Sequence, residues 1–200
     1  MIRFLSRLAY LAIVLIVIAL PVGLGRAADN FKIEDGYSSL FNGNDLTGWR
    51  YPGAKGHDMD GKVETPDQRI SVADGIIIMN EKDNQGKGGI RDLYTSKFYD
   101  KDFHLKLEFR AAVKADSGVY IRGPQLQVRD FIRRGEQKQM KKFKNDDWNE
   151  LDITVTGTEA VCRVNGEPLA TMKVPAKGGI GLQAETGKFE FRRIRVKEQD

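Results

Sequence analysis

The 200-residue chain has one cysteine, Cys162, and two histidines, His57 and His104. A lone thiol cannot close an internal disulfide, and one thiol with two imidazoles is too few for a Cys/His zinc centre. There is no Gly-x-Ser-x-Gly nucleophile elbow, no phosphate-binding glycine loop after a strand and no His-Glu-x-x-His pair. Acidic pairs in loops, Asp58 and Asp60 with Glu64, or Asp146 with Asp147, read as solvated charge. The sequence therefore assigns no metal and no cofactor. Charge of one sign is also scarce, with 32 Lys and Arg against 28 Asp and Glu. Long apolar runs are confined to the N-terminus, which excludes a polytopic membrane protein. What is present, 40% hydrophobic residues over this length, suits one packed domain rather than a disordered chain.

Arg3 and Arg7 precede an apolar run from Leu8 to Leu20, followed by Pro21, Gly23, Gly25 and Ala27. A cationic start, an apolar centre and small residues near a cleavage point form a secretory signal peptide, here residues 1–28, with cleavage after Ala27 or Ala28. Location is then periplasmic or extracellular. The alternative is an uncleaved inner-membrane anchor at residues 8–24, the one way this chain would meet a membrane. Removing residues 1–27 lowers the formal charge from +4 to +1, with 29 basic and 28 acidic residues left. That balance excludes nucleic acid as a partner. The basic cluster Arg129–Lys144 reads as a solvated loop, and oligomeric state is left open.

From residue 36 onward the apolar period is two. Phe103, Leu105, Leu107 and Phe109 alternate with His104, Lys106, Glu108 and Arg110, which predicts a strand with two unlike faces. Similar alternation marks Leu126/Val128, Leu151/Ile153/Val155, Ile180/Leu182, Phe189/Phe191 and Ile194/Val196. Asn42-Gly43, Asp74-Gly75, Thr156-Gly157, Asn165-Gly166 and Thr186-Gly187 supply residues that tolerate positive φ at hairpin bends. Only Arg133–Lys144 could coil, and it has no wide apolar stripe. The prediction is an all-β, antiparallel two-sheet sandwich over residues 29–200, built as a meander of hairpins.

The polar stretch Ala115–Asp130 carries Tyr120 and Arg122 on one side of a strand and Gln125, Gln127 and Arg129 on the next, with Leu126 and Val128 turned away. Aromatic rings, amides and a guanidinium on one sheet face suit a saccharide, whose hydroxyls need donors and acceptors and whose C–H faces need flat apolar surfaces. An ordinary solvated sheet face would read the same way.

Ser39-Leu-Phe-Asn-Gly-Asn-Asp-Leu-Thr-Gly-Trp49 resembles the opening of the bacterial 3-keto-disaccharide hydrolase domain family, whose fold is the concanavalin A-like jelly-roll sandwich. Further matches follow in order: Phe103–Arg110, Asp116–Arg122, Trp148-Asn149-Glu150, Val164-Asn165-Gly166, Gly179–Gln183 and Phe189–Val196. The resemblance spans residues 36 to 197 and implies a secreted hydrolase, or eliminating lyase, acting on 3-keto-glycosides. It implies catalytic roles for Glu108, Glu185 and Arg122, with Tyr120, Arg122, Gln125, Gln127 and Gln183 holding the substrate. The chain departs from the family where Gln125-Leu126-Gln127 replaces a usual Glu-x-Gln, and where Glu185 stands in a loop that often contains His. These departures keep open a non-catalytic carbohydrate-binding module of the same fold, or a structural envelope interaction domain.

Overall fold

The computed structural model describes residues 31–52 and 57–199; the segment assigned as signal peptide lies outside the described residues. No described residue is in an α-helix, and the described residues form fourteen strands. They are β1 (Ser38–Ser39), β2 (Trp49–Tyr51), β3 (His57–Asp58), β4 (Ile70–Ala73), β5 (Ile76–Met79), β6 (Arg91–Thr95) and β7 (Phe103–Ala111). The second half contributes β8 (Asp116–Ile121), β9 (Gln125–Arg129), β10 (Asn149–Thr156), β11 (Glu159–Val164), β12 (Glu167–Lys173), β13 (Ile180–Thr186) and β14 (Phe189–Glu198). The larger sheet runs β12-β11-β10-β7-β14-β5-β4, with β1 also paired to β14; the smaller runs β3-β2-β6-β13-β8-β9.

Every pairing is antiparallel, so alternation decides which side chains enter the core. In β7 the two faces separate without exception: Phe103, Leu105, Leu107, Phe109 and Ala111 are buried and the residues between them are partly exposed. The smaller sheet meets that layer with Leu93, Val119, Ile121, Leu126, Val128, Ile180 and Leu182. Phe109 and Phe189 stack at 5.6 Å between centroids, and Trp49 is fully buried with its indole N–H donating to the Leu40 carbonyl at 2.8 Å. Trp148 instead lies outside the sandwich, between the guanidinium groups of Arg110 and Arg192 at 4.7 and 4.0 Å.

The turns behave as their chemistry requires at three hairpins, one being β10–β11, where Gly157 takes φ of 57°. Asp74 and Gly75 join β4 to β5 with φ of 52° and 74°, and Asn165 and Gly166 join β11 to β12 with 49° and 80°. The expected meander is corrected elsewhere. Thr186–Gly187 does not close a hairpin; it carries the chain from the smaller sheet to the larger. β13 lies between β6 and β8, and β14 between β7 and β5, so the last two strands enter the middle of each sheet. That crossing makes the sandwich a jelly roll.

Candidate functional site

The outer face of the smaller sheet carries the polar side chains that alternation excludes from the core. The register places Asp58, Arg50, Tyr94, Gly181, Tyr120 and Gln125 in one row across all six strands. Asp92, Gln183, Gly118 and Gln127 form the next row, about 7 Å away at two residues of strand rise.

Small residues at Gly118 and Gly181 shape this face. A Cβ at Gly181 would stand 2.6 Å from the Tyr94 ring and 3.0 Å from the Tyr120 ring, and one at Gly118 would overlap the Gln125 side chain. The two tyrosines can therefore lie over the strand, their centroids 5.1 Å apart, with Gln125 reaching across its neighbour. Gly181→Ala is expected to cost about 1–3 kcal/mol by overpacking and to move both rings. Urea unfolding and near-UV circular dichroism check it; an unchanged aromatic spectrum would show that the glycine is not what lets the rings lie flat.

Beneath the rings the polar atoms form a chain. The Gln125 amide donates to Gln183 Oε1 at 2.5 Å, Gln183 Nε2 donates to the Tyr120 hydroxyl at 2.8 Å, and that hydroxyl donates to Asp92 Oδ1 at 3.1 Å. Gln183 is only 2% exposed, so its amide is oriented by these partners rather than by water. Burial raises the Asp92 carboxyl above its ordinary value, with the hydrogen bonds from Tyr120 and Gln183 pulling partly back. Burial, then the Asp92 charge, raises the Tyr120 phenol, and burial raises Tyr94 further. The set presents one carboxylate biased toward proton uptake beside a hydroxyl that stays protonated.

Sequence reasoning placed Tyr120, Gln125, Gln127 and Gln183 on one face, and all four are there, Gln127 exposed at the rim. It missed Asp92 and Tyr94, although the alternation of Arg91-Asp-Leu-Tyr-Thr95 around buried Leu93 carries the signal. Glu185 stands at the far end of the same strand, in the irregularity between Ala184 and Thr186. Burial and then the charge of Asp116 raise its carboxyl, against Arg129 and Arg134.

Two expected catalytic residues do not join this face. Glu108 belongs to the outer side of the larger sheet, where an irregularity between Arg192 and Arg195 turns two guanidinium groups onto it, each at 2.6 Å. Arg122 was placed in strand alternation with Tyr120, but β8 ends at Ile121 and Arg122 takes φ of 53° in the turn. Its guanidinium donates to the carbonyls of Gly157 at 2.9 Å, Pro175 at 3.3 Å and Lys101, over the Phe103 ring, and the residue is 3% exposed. It ties three loops together and is not aimed at the polar face. Among the described residues no three His, Cys, Asp or Glu side chains gather in a group able to hold a metal ion.

A cleft of about 360 Å³ adjoins the upper row and is lined by Arg50, Pro52, Tyr94, Phe98, Arg122, Gly123 and Gly179. Tyr94 is common to the cleft and to the tyrosine pair.

Residues 36–197 match the family described as 3-keto-alpha-glucoside-1,2-lyase-like domain. Among solved structures, two provisionally assigned glycosyl hydrolases from Parabacteroides distasonis ATCC 8503 are similar, each at 18% identity over 82% of this chain. One has a TM-score of 0.62 over 94% of its own length, the other 0.60 over 99%. The carbohydrate binding module CBM66 from Bacillus subtilis has a TM-score of 0.51 at 10% identity, over 80% of this chain and all of its own. At these identities the likeness shows the shared sandwich fold. No curated protein matches the chain.

Proposed function

The chain belongs to the 3-keto-alpha-glucoside-1,2-lyase-like domain family, and from that premise we propose that the outer face of the smaller sheet takes a glycoside oxidised at C3 and releases its C1 substituent. The observation that carries this reading is the Asp92 carboxylate, raised by burial and hydrogen-bonded to Tyr120 within a row of sugar-reading amides.

A C3 ketone acidifies the proton at C2. Asp92, as carboxylate, takes that proton, and the electron pair moves into the C2–C3 bond as the ketone becomes an enolate. The enolate then re-forms the ketone while a double bond forms between C1 and C2 and the C1–O bond breaks, the leaving oxygen taking the proton that Asp92 removed from C2. Water adding at C1 completes a net hydrolysis; stopping before it gives a lyase. Tyr120, kept protonated by its raised pKa, donates to ionised Asp92 before the reaction, and once Asp92 has taken the C2 proton the hydroxyl turns that hydrogen bond to the developing enolate. Gln125 and Gln127 read the ring hydroxyls, buried Gln183 holds Gln125 and Tyr120 in place, and Glu185 stands two residues beyond Gln183 along β13. This route does not require two glycosidase carboxylates at fixed separation. Export to the periplasm or beyond belongs to the same proposal and rests on the N-terminal sequence pattern alone.

A second reading, sugar binding without turnover, draws on Gln125, a neutral amide that cannot accept a proton at pH 7. Release of the alcohol from an aryl 3-keto-glucoside separates the two. Turnover is expected, and Gln183→Ala is expected to lower kcat/KM about tenfold or more, because it leaves Tyr120 and Gln125 without their shared partner. No release from several 3-keto-glycosides at high protein concentration would overturn the enzymatic reading. A glycan-induced rise in melting temperature lost in Gln183→Ala would then support the binding module, and no response to any sugar would leave a structural role.

A further inference from the structure

The cleft beside the tyrosine pair has a chemistry of its own. Arg50 projects from β2 on the outer face, because Trp49 and Tyr51 on either side of it are buried in the core. Its guanidinium meets no carboxylate and makes no hydrogen bond with any described residue; its one partner is the Phe98 ring, 5.9 Å away. Arg50 Nε is buried without a hydrogen-bond acceptor. Arg69 and Arg122 also have a buried Nε without an acceptor; what sets Arg50 apart from the other partly buried outer-face arginines is the missing ion pair, since Arg110 pairs with Glu190, Arg129 with Asp116, Arg192 with Glu108 and Arg195 with Glu34. Asp58 stands opposite Arg50 across the β2–β3 pair, but among the described residues no ion pair or hydrogen bond joins the two; the guanidinium keeps its donors for an incoming anion, and it can bind a carboxylate through two parallel hydrogen bonds.

The remaining walls are flat and apolar. Phe98 is 52% exposed, an aromatic ring held in solvent at the cleft mouth. Pro52 and Tyr94 supply two more flat surfaces, and at Gly123 and Gly179 there is no side chain to fill the space. The cleft lies at the end of the face where β13 begins, with Gly179 two residues from Gly181 and the Tyr94–Tyr120 pair. Two residues of strand rise, about 7 Å, separate that row from Asp92, roughly the width of one sugar ring. A ring seated over Asp92 and Gln183 with C1 turned toward the tyrosine row points its substituent at this cleft.

We infer that the cleft is the leaving-group subsite and that it selects glycosides whose aglycone is a flat aromatic ring bearing a carboxylate, the ring against Phe98 and Tyr94 and the anion on Arg50. The inference rests on the proposed sugar face for its meaning, but the cleft can be tested alone. The probes are 4-hydroxybenzoate and its neutral analogue 4-hydroxybenzamide, titrated against the protein by calorimetry. The benzoate is expected to bind about tenfold or more tightly than the amide. Arg50→Met is expected to abolish that preference, with its melting curve recorded to show that it folds, and Arg50→Lys to retain part of it. Phe98→Ala is expected to weaken both probes together. Equal affinity for the two probes, or a preference that survives Arg50→Met, would overturn the inference. The 3-keto-glucosides of 4-hydroxybenzoate and of phenol are assayed in parallel on the unmodified protein. If both are inert while the benzoate preference holds, the sugar-face reading fails and the anion cleft stands; if they turn over while the preference is absent, only the cleft inference falls.

Discussion

Asp92→Asn is expected to lower turnover of a 3-keto-glucoside by about 10²- to 10⁴-fold, the range for losing a positioned general base, while leaving the sandwich folded. Asn keeps an oxygen to accept from Tyr120 and nearly the same volume, so the hydrogen-bonded chain to Gln183 and Gln125 survives and only the proton acceptor is lost. The same substitution is expected to stabilise the fold at neutral pH. Because burial raises the folded carboxyl, the folded state binds its proton more tightly than the unfolded state does. The stability that protonated Asp92 contributes is complete below its unfolded value and is lost as pH rises through the folded one. At pH 7 the ionised group therefore costs stability, and an uncharged Asn removes that cost. Activity runs the opposite way: the base must be ionised, so kcat/KM falls as pH drops through a value higher than that of an ordinary aspartate. Denaturation and pH–rate profiles of the two proteins check both signs. Full activity in Asp92→Asn would remove this residue from the reaction, whereas a lower melting temperature at pH 7 would show that its charge is better compensated than its surroundings indicate.

Arg122→Ala is expected to destabilise the protein by about 3 kcal/mol or more, because it leaves three loop carbonyls without a donor and opens space over Phe103. For a domain of this size that lowers the melting temperature by roughly 10 °C. Arg122→Lys is expected to recover only part of the loss, since one ammonium cannot reach carbonyls spread around a planar fork. The measurement is guanidinium unfolding of the three proteins. Arg122→Ala at native stability but without turnover would return this residue to the substrate, as the family resemblance implied.

Those two residues also mark how far the sequence could be read. Alternation in Phe103–Ala111 and in Gln125–Arg129 gave the faces correctly, because in an antiparallel sheet the side-chain period is a local property. The same rule misplaced Arg122, because it holds only while the strand lasts and β8 ends one residue earlier. Alternation put Glu108 correctly on an outer face; the role the resemblance implied for it fails because alternation does not tell which of two sheets a strand joins, and that depends on partners more than 80 residues away such as Arg192 and Arg193. Asp92 and Tyr94 were legible in principle, yet β6 is five residues long with a single buried aliphatic at its centre, too short for its period to stand out.

The interior position of β13 and β14 bears on how the protein comes into being. Without β13 the smaller sheet is split into β3-β2-β6 and β8-β9, and without β14 the larger loses the join between β7 and β5. Neither half can close during synthesis until the last twenty or so residues have emerged, so contacts far apart in the chain dominate and collapse to the finished state falls in the slow, millisecond-to-second regime. A nascent chain of this topology keeps both sheets open, their middle strands unfilled, until β13 and β14 are made.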